Sequence, residues 1–124
     1  MRHRDHTIYS STNRTAAPTA EVVNMGGALG MHLIVNISSN PSTGSLTPTI
    51  STTDGTDGHY TILTGSAASS AETKVYKLGL GLESTTNIQN DYLPESVRIS
   101  IAHATTVSVA YSVVARKFYP DHSY

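Results

Sequence analysis

Period-two alternation is the feature that most restricts how this chain can fold. Met31, Leu33, Val35 and Ile37 fall on one face of a run whose other face holds His32, Ile34 and Asn36. Val97, Ile99, Ile101 and His103 repeat the pattern, as do Val107, Val109, Tyr111 and Val113 against Ser108, Ala110 and Ser112. Successive side chains point to opposite faces of a strand, whereas a helix brings every third or fourth residue to one face. These runs therefore predict strands with one buried face and one wet face. Leu46, Pro48, Ile50 and Thr52 form another run, and its proline predicts an edge strand or a bulge. Tyr60 and Ile62, and then residues 75–80, add two more.

Turn residues punctuate these runs. Asn40-Pro41-Ser42-Thr43-Gly44 is a turn cluster, and Asp54-Gly55-Thr56-Asp57-Gly58 before an alternating run is a hairpin signal. Gly26-Gly27-Ala28-Leu29-Gly30 marks a bend into the next strand, and residues 65–71 form a loop of small residues. Residues 81–96 lose the period and read as one long connection, while a tight hairpin is expected near Ala104-Thr105. About seven strands with short turns predict an all-β fold, a single antiparallel β-sandwich or small barrel. The organisation expected is an extended N-terminal arm (residues 1–20), a β-sandwich domain (21–115) and a C-terminal tail (116–124).

A length of 124 residues accommodates one domain. Eight Lys and Arg against nine Asp and Glu leave a net charge of −1, too little positive charge for a general nucleic-acid or anionic-membrane partner. No apolar run reaches the length of a transmembrane helix, and nothing reads as a secretory signal. With no cysteine, stability must come from packing and backbone pairing. Serine and threonine instead supply the solvated strand faces.

Catalytic chemistry is hard to find. Gly65-Ser66 lacks the second glycine of a nucleophile elbow, and Gly79-Leu80-Gly81 closes a strand instead of opening a helix. His3, His6, His59, His103 and His122 are scattered, and His103 on an apolar face reads as a hydrogen-bonded core or interface residue. Asp54 and Asp57 fall short of a calcium loop. Glu83, Asp91 and Glu95 share one loop with no identifiable partner. The sequence therefore predicts no enzyme, no metal and no cofactor.

Recognition chemistry lies at the two ends. Residues 1–20 carry Arg2, Arg4 and Arg14 against Asp5, with Ile8 and Tyr9 as their only bulky apolar side chains. By itself this composition reads as a disordered tail; ordered, it implies a neighbouring subunit that holds it. The last nine residues concentrate Phe118, Tyr119 and Tyr124, which either fold back on the core or anchor a partner. Arg2, Arg4, Ile8, Tyr9, Arg14, Phe118, Tyr119 and Tyr124 are the candidate partner-binding set.

The stretch from Gly30 to Ala115 resembles the small all-β structural proteins of tailed bacteriophages. The resemblance is carried by Gly30-Met31-His32-Leu33-Ile34-Val35-Asn36-Ile37, Ser45-Leu46-Thr47-Pro48-Thr49-Ile50, Tyr60-Thr61-Ile62-Leu63-Thr64, Leu93-Pro94-Glu95-Ser96-Val97-Arg98-Ile99, His103 and Tyr111-Ser112-Val113. It implies a virion structural protein without catalytic residues, foremost a capsid decoration (cement) protein made in the host cytoplasm and placed on the capsid surface. Its implied partners are the major capsid protein and neighbouring copies of itself, in a trimer where local three-fold positions are decorated. The alternatives are a tail or head–tail connector component, and a carbohydrate-binding host-adhesion module that would present a row of tyrosines to a glycan.

Overall fold

The alternating runs become strands of two sheets in the computed structural model, which describes residues 2–40, 44–53, 60–104 and 108–120. Among these residues nine strands form: β1 (Arg2–Arg14), β2 (Glu21–Asn24), β3 (Gly30–Ser39), β4 (Ser45–Thr52), β5 (Thr61–Thr64), β6 (Thr73–Gly79), β7 (Ile88–Asn90), β8 (Ser96–Ala104) and β9 (Val109–Tyr119). One sheet has the order β1-β9-β3-β6-β7 and the other β2-β8-β4-β5. All of these pairings are antiparallel except that of β6 with β7. Neither sheet closes on itself, so the fold is the expected sandwich and not a barrel.

The predicted inward rows build the core. Met31, Leu33, Val35 and Ile37 of β3, Tyr76 and Leu78 of β6, and Tyr111, Val113 and Ala115 of β9 are buried on one side. Leu46 and Ile50 of β4, Val97, Ile99 and Ile101 of β8, and Val23 of β2 are buried on the other. Each fully buried aliphatic side chain contributes about 1.5–3 kcal/mol against the entropy of ordering the strands.

The structure departs from the sequence reading at several places. Residues 2–14, expected as an arm, form β1 and pair with β9 from Arg2↔Tyr119 to Arg14↔Val109. Residues 2–7 are exposed on both faces, and register irregularities follow between Thr7 and Tyr9 and between Tyr9 and Thr12, so no period shows in the sequence. Arg116 to Tyr119, expected as a tail, continue β9. The tight hairpin expected between the last two runs is instead a crossing between sheets, since β8 and β9 lie in different ones.

Pro48 sits in β4, which is flanked by β8 and β5 and is therefore interior. Its carbonyl accepts from Gly65 N–H at 2.9 Å, so its missing N–H faces the irregular stretch after β5 and interrupts no ladder. Two further strands, β2 and β7, are too short to leave a periodic signature. The strand pair β4–β5 agrees with the hairpin signal, but the Asp54–Gly58 turn lies outside the described residues.

Gly65 locks the two sheets together. A Cβ at this position would overlap the Tyr76 ring and press on Pro48 at 3.0 Å. The Tyr76 hydroxyl donates to the Ser66 carbonyl at 2.9 Å, and Ser66 N–H donates to Asn87 Oδ1 at 2.8 Å. Gly65→Ala is expected to cost about 1–3 kcal/mol through overpacking. Urea unfolding should show a lower midpoint with an unchanged slope.

Candidate interaction surfaces

Arg14, one of the predicted partner contacts, is engaged within the chain. Its guanidinium donates to the Tyr111 carbonyl at 2.7 Å and to the Ser10 carbonyl at 2.8 Å. It also lies over the Tyr111 ring, 4.6 Å from the centroid, and 5.7 Å from that of Tyr9. Tyr9 is a core residue, only 7% exposed, because the bulged backbone turns it inward. Its hydroxyl donates to the Thr19 carbonyl at 2.7 Å. Ile8 is half-buried against the same core. These three residues thus join the N-terminal strand to its own sandwich.

His103 completes this internal group. It reaches from β8 to β9, where its Nε2 lies 2.8 Å from the Tyr111 hydroxyl and the rings meet edge to face. Its Nδ1 is buried without a partner. Burial, and then the Arg14 charge, holds the imidazole below its ordinary pKa of 6.5. Burial pushes the Tyr111 phenol up to about 12. His103 thus joins the two sheets through Tyr111, and the sequence reading anticipates a hydrogen-bonded histidine at this position.

Arg2, Arg4, Phe118 and Tyr119 meet at one end of the sandwich. There β1 begins, β9 ends, and the turn from β2 leads into β3. Arg2 and Arg4 are exposed and, with His3, Gly26, Gly27, Tyr119 and Pro120, line a recess of about 530 Å³. Gly26 and Gly27 have positive φ (37° and 82°), which the tight turn requires. Phe118 stands on the outer face of its sheet between His3 and His32, at ring separations of 6.3 and 4.6 Å. Beside it, Arg116 donates to both carboxylate oxygens of Asp5 at 2.8 and 3.1 Å. That contact holds the Asp5 carboxyl below its usual value. Tyr124 lies outside the described residues, as do His59 and His122.

Phe118 also walls a second recess, of about 450 Å³, which the sequence reading missed. Gly30 and Gly79 are cross-strand partners and lay a floor without side chains. A Cβ on Gly79 would press on the Gly30 Cα and the Leu29 carbonyl, each at 3.3 Å. Leu29, Leu80, Leu82, His32 and Phe118 rise around that floor. Leu29 and Leu80 are more than half exposed. His32 is held below its ordinary pKa by burial first and then by the Lys77 and Arg116 charges. The sequence signal was available in leucines placed beside strand-end glycines, off the inward rows.

Among the described residues no three His, Asp or Glu come together as a metal-binding group. No helix among them is long and apolar enough to cross a membrane. Of the tyrosines, Tyr9, Tyr76 and Tyr111 are buried, whereas Tyr60 and Tyr92 are exposed on separate loops.

No known protein family matches the chain, and no curated protein matches it. A chain from the structure of infectious bursal disease virus Gt strain is similar over 95% of this chain, with 14% identity and a TM-score of 0.43. This chain spans 33% of that one. A likeness of that order assigns neither ancestry nor function.

Tyr111→Phe removes the hydroxyl partner of His103 and is expected to cost about 1 kcal/mol in urea unfolding. His32 and His103 both have folded pKa values below the unfolded 6.5, so the unfolded chain takes up protons first. Their contribution is complete above the unfolded value and declines as pH falls below it. The thermal midpoint should drop between about pH 7.5 and about pH 5, and His103→Gln should reduce that drop.

Proposed function

We propose that this chain is a non-enzymatic virion structural protein, and specifically a capsid decoration protein seated on the outer shell. The observation that carries the reading is the end of the sandwich where exposed Arg2 and Arg4 border one recess and Phe118 walls the next. Exposed cations beside aromatic and aliphatic side chains suit a protein partner that offers carboxylates and apolar side chains. The phage resemblance of residues 30–115 supports the same reading.

The long edge strand adds to it. β1 lies at the edge of its sheet, the position at which a strand from a neighbour can add. A weak contact of this kind becomes tight when many copies bind one lattice. In this reading the partners are the major capsid protein and adjacent copies of the chain. Arg2, Arg4, Phe118 and Tyr119 carry the contact, while Ile8, Tyr9 and Arg14 hold β1 in place behind them.

Co-sedimentation of the purified chain with expanded and mature shells of its own virus tests the reading. Binding is expected at hundreds of copies per particle and should weaken at least about tenfold in the Arg2→Glu/Arg4→Glu double variant. Binding to neither shell overturns the decoration role. About a dozen copies per particle would move the chain to a tail or head–tail connector, and glycan binding by the isolated protein would favour host adhesion.

A further inference from the structure

We propose that the chain associates with further copies of itself, with Tyr92 of one copy inserting into the leucine-walled recess of the next. The proposal rests on the contact between adjacent copies named above and specifies it; it is read on the purified protein, so its failure leaves the shell-binding test standing.

Socket and knob lie side by side. The socket is the recess of about 450 Å³ floored by Gly30 and Gly79, a volume suited to an aromatic ring. The knob is Tyr92, which is 76% exposed, the most exposed large apolar side chain among the described residues. It sits next to Asp91, whose N–H donates to the carbonyl of Gly79 in the socket floor at 3.2 Å. Asp91 Oδ1 in turn accepts from Tyr92 N–H at 2.7 Å, which fixes the loop that presents the ring. Tyr92 does not line the recess of its own chain. An exposed phenol and an open apolar socket are therefore neighbours.

The charges around them match. Asp91 and Glu95 flank the knob in sequence. Arg2 and Arg4 line the recess adjoining the socket, and His3 joins the two recesses through its contact with Phe118. A docked Asp91–Glu95 loop would bring its carboxylates toward those cations. This complementarity is why the occupant assigned is a second copy and not a small apolar ligand: the same chain carries the ring and the acids that the two recesses would receive. Buried tyrosines in the centre of such contacts are strong contributors to binding.

Knob and socket at the same end allow a closed assembly. A rotation axis passing beside that end lets every copy give one Tyr92 and receive another, and a dimer or trimer is the form expected.

Sedimentation velocity of the full chain, from micromolar to sub-millimolar concentration, tests this. A concentration-dependent closed oligomer is expected. Tyr92→Ala on the knob and Leu80→Glu in the socket should each weaken it at least about tenfold, with unchanged circular dichroism because both side chains are exposed. Val22→Glu puts the same charge on an exposed apolar position of β2, in the other sheet, and should leave association unchanged. The proposal is overturned by a chain that stays monomeric throughout, by open-ended polymers, by association that survives either knob or socket variant, or by an equal loss in Val22→Glu.

Discussion

The pairing of β9 along both of its edges is the interaction on which the remaining structure depends. One edge carries β3 and the other carries β1, while Tyr111, Val113 and Ala115 point between the sheets. Residues 2–14 have little apolar content and little reason to order alone. They gain a ladder of backbone hydrogen bonds from β9 and bury one large ring, Tyr9, through a bulge. Arg14 then closes the strand onto Tyr111. A segment too polar to fold by itself is ordered because a strand with a finished core supplies its missing partners.

Extending β9 beyond the sandwich core has a second effect. Lys117 donates to the Asn24 carbonyl at 3.0 Å, and the Phe118 carbonyl accepts from Leu29 N–H at 2.7 Å. The C-terminal end of β9 thereby holds the bend between β2 and β3, and the two recesses form on either side of that bend. Two different requirements meet there. The glycines at positions 26, 27, 30 and 79 serve close approach and turning, while Leu29, Leu80 and Leu82 supply apolar surface that no inward row can take up.

The legible and the illegible residues differ in physical kind. Val97, Ile99 and Ile101 announce a half-buried strand because local alternation and burial coincide. His103, the next residue of that row, was legible as a bonded histidine, but its partner Tyr111 was not, since the two belong to different sheets. Arg14 and Tyr9 looked like parts of a free arm because nothing local reveals that β9 lies beside them. Phe118 was marked by its aromaticity, whereas Tyr92 and the glycine-floored recess escaped notice. A socket assembled from β3, β6, β9 and two turns has no contiguous signature.

What the sequence by itself determined is the all-β class and the identity of most inward-facing residues. Side-chain direction along a strand is a local property with period two, so it can be read one segment at a time. Only the tertiary structure decided which strand lies beside which, that residues 2–14 join the sheet, and that Phe118, Leu29, Leu80 and Leu82 surround one floor. Strand pairing is made by backbone groups that every residue carries. The order of strands is therefore settled by how all the buried rows pack at once, and the surface chemistry follows from that order.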